Sequence, residues 1–362
     1  MRPSGFRSGF RYLATPVLSC FCLWLLPALP QAFASQAATP APPNASSQME
    51  ALATAQAAVV GVKVTAVEGA RSAETLGLRR TGSGVVIGSD GLVLTIGYLM
   101  LEAQNIEIIT QDNKVVPATA VAYDIATGFG LLRPLLPLRD VAAVPLGNLQ
   151  DLQPGQPLMA ATGATATGQQ SDVSFTQLVS KRSFSGTWEY HLDTALFTSP
   201  PVTAGRGNHS GAPLFNQKGE LVGIGSLLVA DATGENRRVP GNMFVPIDLL
   251  KPILVEMQRS GSSSQSSRPW LGLTSSDQGG RIQIMRVSAD SPADDAGLEP
   301  GFVVLAVDGS EVTTLEGFYK KLWARAAPSD PVRLTVRRGE DVMTIEVQPK
   351  SRMLTLKKPA GI

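Results

Sequence analysis

Thr81-Gly82-Ser83-Gly84-Val85-Val86-Ile87, followed by Gly88-Ser89-Asp90-Gly91 and then Leu92-Val93-Leu94-Thr95, is the stretch on which the reading of this chain turns. Two short runs rich in β-branched residues flank an Asp-Gly turn signal, the pattern of paired strands rather than of a helix. The same grammar continues outward. Ile106-Glu107-Ile108-Ile109 and Leu221-Val222-Gly223-Ile224 are further short apolar runs, punctuated by Gln111-Asp112-Asn113 and Asn216-Gln217-Lys218-Gly219. Many short strands at regular spacing predict an all-β body, a sandwich or a barrel, and the pattern alone does not choose between them. A helix is expected from about Ile247 to Met257, closing the body.

Composition bounds the rest. The chain has 362 residues, 43% apolar and 17% charged, enough for two domains with their own cores. A net charge of +1 provides no field to gather nucleic acid or anionic lipid, so neither is expected as a partner. Only two histidines, His191 and His209, and two cysteines, Cys20 and Cys22, are present. That scarcity argues against a metal site, and no cofactor is expected.

Residues 1–34 read as a secretory signal: Arg2, Arg7 and Arg11, an apolar stretch from Leu13 to Leu29, then Ala32-Phe33-Ala34 as a small-residue cleavage site. An uncleaved anchor and a lipoprotein site at Cys20 are the alternatives. Residues 35–54 read as a flexible leader, 55–258 as the β body, and 259–267, with its Ser-Gly-Ser-Ser-Ser-Gln-Ser-Ser run, as a linker flexible by composition. A smaller α+β module follows at 268–350, and a tail at 351–362. In that module Ser291-Pro292-Ala293-Asp294-Asp295-Ala296-Gly297 has an N-cap serine, proline in the first turn and glycine at its end. Residues 314–323 place Leu315, Phe318, Tyr319, Leu322 and Trp323 on one helical face.

Taken in order, these segments resemble the HtrA family of exported serine proteases. Residues 81–95 resemble the opening of its trypsin-like domain. Asn208-His209-Ser210-Gly211-Ala212-Pro213-Leu214 resembles its nucleophile loop, and Met243-Phe244-Val245-Pro246-Ile247 the run near that domain's end. Trp270-Leu271-Gly272-Leu273, Ser291-Pro292-Ala293, Ala296-Gly297-Leu298, Pro300-Gly301 and Asp308-Gly309 resemble a bacterial PDZ domain, with Phe302 where the family usually has Asp. The resemblance implies a mainly β chain: a trypsin-like double β-barrel followed by a small α+β PDZ domain.

It also implies roles, and this chain departs from them. Ser210 stands at the nucleophile position. The general-base position falls at Tyr98 and the orienting-acid position at Gly128, while Asn208 and His209 belong to the oxyanion loop. Acyl transfer by serine needs a base to take its proton and a group to hold that base. A phenol is a poor acceptor near neutral pH, and glycine orients nothing. His209 as a neighbouring base, His191, or a serine–lysine dyad with Lys181 are the remaining routes to an active endopeptidase of protein quality control. The expected reading is an exported, periplasmic pseudoprotease whose PDZ domain binds polypeptide C-termini or unfolded proteins. Leu271, Gly272 and Leu273 would form its carboxylate-binding edge, and Phe318 and Leu322 its side-chain pocket. A homotrimer, or a hetero-oligomer with an active relative, is the assembly the resemblance implies. Mass spectrometry of the exported form should find Ser35 at its N-terminus; a full-length membrane-retained chain, or lipid on Cys20, would overturn that expectation.

Overall fold

A computed structural model describes residues 45–357 except 140, 166–167, 169, 203–208 and 326. The expected signal segment, most of the leader, both cysteines and Asn208 lie outside the described residues. The β body resolves into barrels rather than a sandwich. Six antiparallel strands, β1 (Val59–Ala66), β2 (Arg79–Val86), β3 (Val93–Ile96), β4 (Ala103–Ile109), β5 (Val115–Tyr123) and β6 (Phe129–Pro134), close in the order β1-β2-β3-β6-β5-β4. Six more, β7 (Pro157–Thr162), β8 (Asp172–Gly186), β9 (Tyr190–Ser199), β10 (Pro213–Phe215), β11 (Leu221–Val229) and β12 (Gly241–Pro246), close as β10-β11-β12-β9-β8-β7. Closure leaves no unpaired edge in either barrel. One apolar core, with Val64, Leu94, Phe129 and Leu131 from the first barrel and Phe197, Phe215 and Val245 from the second, runs through both.

Two expectations about flexible segments are corrected. Residues 45–54, read as leader, lie within helix α1 (Ala45–Ala57), whose Ala55 is buried against the barrels. A short helix, α2 (Ala73–Leu76), follows β1. The closing helix is also in two pieces: a 3₁₀ turn at Ile247–Leu249, then α3 (Leu254–Ser260), ended by Gly261 in the left-handed conformation. The serine-rich linker is docked rather than loose. Ser263 and Ser266 are buried, and their hydroxyls both donate to the carboxylate of Asp124, itself fully buried at the end of β5. Asp124 also accepts from the Thr127 amide at 2.8 Å and its hydroxyl at 2.6 Å. Burial works against the charged Asp124 carboxyl, but these donors hold it below the usual carboxylate range. Serine hydroxyls, which composition reads as solvating groups, are here the donors that a buried carboxylate requires.

The module after the linker is a five-stranded antiparallel path, β14 (Leu273–Ser276), β15 (Ile282–Val287), β16 (Val303–Val307), β18 (Val332–Arg338) and β19 (Asp341–Val347), in that order, with β17 (Ser310–Glu311) paired to β16. A second small pairing joins β13 (Pro269–Trp270) to β20 (Lys350–Ser351). Its two helices are the expected ones: α4 (Pro292–Asp295), capped by the Ser291 hydroxyl, and α5 (Leu315–Trp323), capped by Thr314. The module has its own core, in which Phe318, Leu322, Leu271 and Leu273 are buried beside Phe302.

Asp124→Ala should cost on the order of 3 kcal/mol, because it strands three hydroxyl donors in the interior. Chemical denaturation reads the loss, and limited trypsin digestion should cut faster at Arg259 and Arg268, which flank the released segment. Unchanged stability and digestion would refute the docking role.

Candidate active site and carboxylate cradle

Tyr98 lies on a one-turn 3₁₀ helix, Gly97–Met100, directly after β3. Gly97 leaves room for it: a Cβ there would sit 2.1 Å from the Tyr123 ring, and its amide donates to the Gly128 carbonyl at 2.7 Å. Ser210 comes from the second barrel, on the turn before β10. Its carbonyl accepts from the Ser83 amide at 2.8 Å, and Gly211, at φ 78°, lets the turn pass within contact of the Ser83 carbonyl. The barrels thus bring together residues 112 positions apart: the Tyr98 hydroxyl is 2.7 Å from Ser210 Oγ.

The direction of that hydrogen bond follows from a second one. Tyr98 Oη is also 2.8 Å from the Ser226 carbonyl, which can only accept. The phenol therefore spends its single proton on Ser226, and Ser210 donates to the phenol oxygen. Burial pushes the Tyr98 phenol up to about 12, with the Ser210 hydroxyl pulling the other way. Serine is held by a neutral oxygen with almost no tendency to take its proton.

Gly128 closes the turn Asp124–Gly128, its amide donating to the Asp124 carbonyl at 2.8 Å. It has φ 85°, and a Cβ there would lie 3.2 Å from Tyr190 Oη, which donates to the Thr127 carbonyl at 2.7 Å. Gly128 is thus left-handed and overlooked by a buried tyrosine. Two of the other routes to a base, His191 and Lys181, have their side chains bonded elsewhere. His191 is buried on β9 with Nδ1 2.9 Å from Ser185 Oγ and Nε2 3.2 Å from Asp193. Lys181 donates to the Leu152 carbonyl at 2.8 Å. His209 lines the same pocket as Ser210, and burial lowers its pKa below the ordinary histidine range. That pocket, of about 610 Å³, is mostly apolar and also holds Tyr98, Gly128, Trp188, Tyr190 and, at its charged side, Arg286 and Arg352.

The second site is one that sequence reasoning placed only by half. Leu271, Gly272 and Leu273 do form a cradle of backbone amides. Gly272, at φ 91°, is required there, since a Cβ would sit 2.3 Å from that of Ser291. The leucine side chains, however, are in the module's core, as are Phe318 and Leu322, so they do not offer an open pocket. A carboxylate already fills the cradle, supplied by Glu189 in the turn between β8 and β9. Its Oε2 accepts from the Leu271 amide at 3.0 Å and its Oε1 from the Leu273 amide at 2.8 Å. Glu189 is buried and itself left-handed, at φ 59°. Burial pushes its carboxyl up to about 7, against the pull of the Leu273, Leu271 and Gly272 amides and of Arg352. No sequence motif announced it; the only signal was an acid between two aromatics, Trp188-Glu189-Tyr190, whose rings stack at 6.0 Å.

Beside the cradle, His191, Asp193 and Glu316 present ligand atoms within 4.8 Å of one another. Lys320 already satisfies both carboxylates, at 2.7 Å from Asp193 and 2.8 Å from Glu316, so this group acts as an ionic latch between β9 and α5.

Comparison with known proteins follows the same division. Residues 82–224 match the trypsin-like peptidase domain and residues 269–348 the PDZ domain. The chain is 25% identical over 283 residues to the putative serine protease HhoB of Synechocystis sp., covering 74% of this chain and 66% of that protein. It is 25% identical over 279 residues to the serine endoprotease DegS of Haemophilus influenzae, covering 76% and 78%. With a probable periplasmic serine endoprotease DegP-like protein of Hahella chejuensis it shares 26% over 281 residues, covering 74% and 56%. The chain therefore spans between about half and about three quarters of the length of these relatives. Its fold is that of the serine endoprotease from Yersinia pestis (TM-score 0.51, 21% identity, 86% of this chain and 98% of that one). The HtrA-type protease AlgW with tripeptide is equally similar (TM-score 0.51, 20% identity, 86% and 98%).

A phenol with a pKa near 12 gives a direct check. The absorbance difference at 295 nm between the wild type and Tyr98→Phe should stay flat to about pH 11, whereas an ordinary tyrosine ionises near pH 10. A phenolate signal from Tyr98 at pH 9–10 would contradict the buried, doubly bonded hydroxyl.

Proposed function

We propose that this chain, in which a trypsin-like peptidase domain is joined to a PDZ domain as in its HtrA-type relatives, is an exported pseudoprotease. In this reading the barrels serve as a scaffold and the PDZ domain as the peptide- or protein-binding element, with a regulatory rather than a hydrolytic role. The observation that carries it is the Tyr98 hydroxyl, which occupies the base position with its own proton committed to the Ser226 carbonyl. Losing the base of a serine triad costs about six orders of magnitude in turnover, with roughly a thousandfold advantage left to the remaining site. Gly128 adds to the argument, since nothing at that position can orient a base.

The names of relatives support a periplasmic location, and unfolded proteins or polypeptide C-termini are the partner class that a PDZ domain takes, by strand addition at a sheet edge. A homotrimer, or a mixed oligomer with an active relative, is the assembly this reading carries forward.

Purified protein should show no turnover of unfolded casein and no labelling of Ser210 by a fluorophosphonate. Hydrolysis that disappears in Ser210→Ala would overturn the proposal in favour of an endopeptidase with a non-standard base. The double variant Tyr98→His, Gly128→Asp should recover little activity, because an aspartate at 128 must adopt φ 85° against the Tyr190 hydroxyl. Full recovery would show that the Tyr98 and Gly128 positions are the whole obstacle.

A further inference from the structure

The β8–β9 turn meets the PDZ domain in the manner of a ligand. β14 begins the sheet path, so one of its sides is open to an added strand. On that side the Ser275 amide donates to the Thr187 carbonyl at 2.8 Å. Two residues further along, the Glu189 carboxylate receives the Leu273 and Leu271 amides. Thr187 faces Ser275 and Glu189 faces Leu273, so the segment runs antiparallel to β14, its forward direction pointing into the cradle. The facing helix closes over it. Tyr319, fully buried on α5, donates to the Gly186 carbonyl at 2.8 Å and accepts from the Glu189 amide at 3.2 Å. Ser183 donates to Glu316 at 3.0 Å, and Lys320 pairs with Asp193.

We propose that the PDZ groove is ligated in cis: residues 187–189 act as an internal peptide end, with the Glu189 side chain standing in for a terminal carboxylate, and an external C-terminus binds only by displacing it. The inference rests on the peptide-binding reading of the PDZ domain and adds its regulation. The two carboxylates need the same amides, and those amides cannot serve both at once. Binding of an outside peptide is therefore tied to release of the hairpin tip. That tip also carries Trp188 and Tyr190, which wall the pocket around Ser210.

The test uses the full exported chain and two variants, Glu189→Ala, which removes the competing carboxylate, and Tyr319→Phe, which keeps the ring but drops both hydrogen bonds to the hairpin. The probe is a pool of fluorescein-labelled decapeptides with Ala, Val, Leu or Phe at a free C-terminus, and the same pool amidated, read by fluorescence polarisation. Hydrogen exchange at the Leu271 and Leu273 amides is measured in parallel. We expect both variants to bind the free-carboxylate pool at least tenfold tighter than the wild type, the amidated pool to bind weakly throughout, and exchange at both amides to accelerate in Glu189→Ala. Equal affinity of wild type and variants overturns the internal ligand while leaving peptide binding intact. Absence of binding in every form overturns the peptide-binding reading instead. In that event the exchange data decide the contact: protection unchanged in Glu189→Ala would overturn it too.

Discussion

A carboxylate removed from water has to be met by donors, and two of the buried carboxylates tie the segments that follow the barrels to them. Asp124 and Glu189 are both buried, and each is met by groups from elsewhere in the chain. Asp124 gathers the hydroxyls of Ser263 and Ser266, fixing the segment that leads out of the barrels. Glu189 gathers the amides of the PDZ cradle, fixing the domain that follows. An isolated buried charge costs several kcal/mol, so Asp124, which its donors keep charged, holds them firmly, whereas Glu189, whose carboxyl burial raises to about 7, holds its amides less firmly. The consequence is that the PDZ domain is seated by directed polar contacts as well as by apolar surface.

The same bookkeeping of donors explains the site around Ser210. A tyrosine hydroxyl has one proton and a serine hydroxyl has one; with a carbonyl as the third member, their order is forced. Ser226 receives from Tyr98 and Tyr98 from Ser210. The arrangement is satisfied, which is why it is stable, and satisfied groups have little reason to react. In a working serine hydrolase the acceptor of the serine proton is a base whose charge is then stabilised. Here the acceptor is neutral, buried and resistant to either change of charge.

Much of this was legible in the sequence. The strand runs and the capped helices at 291–297 and 314–323 follow from local pattern, while the roles read for Tyr98, Gly128 and Ser210 came from the family resemblance and not from pattern. What was missed has one physical character: it depends on partners far apart in the chain. The serines of 260–267 read as solvated because composition counts polar groups but not the Asp124 that receives them from 139 and 142 positions away. Residues 45–54 read as leader because α1 has almost no amphipathic period and is defined by where it packs. Phe318 and Leu322 were read as a side-chain pocket, whereas they are buried in the module's interior, and Leu271 and Leu273, read as the edge, present backbone amides while their side chains are also interior. Glu189 stood in no motif, since a cradle of amides carries no side-chain signature and neither does its internal occupant.

The barrels have no open edges, but the PDZ sheet does, and the hairpin tip lies along one of them. An uncovered strand edge is a template for any extended chain, a second copy of the same protein included. Covering it from within keeps the monomer's backbone groups from its neighbours as effectively as from a ligand. The cover is intramolecular, so its opening is independent of concentration, whereas pairing of an uncovered edge with another copy grows with concentration. The hairpin that occupies the groove therefore also lies over a strand edge that would otherwise face other chains.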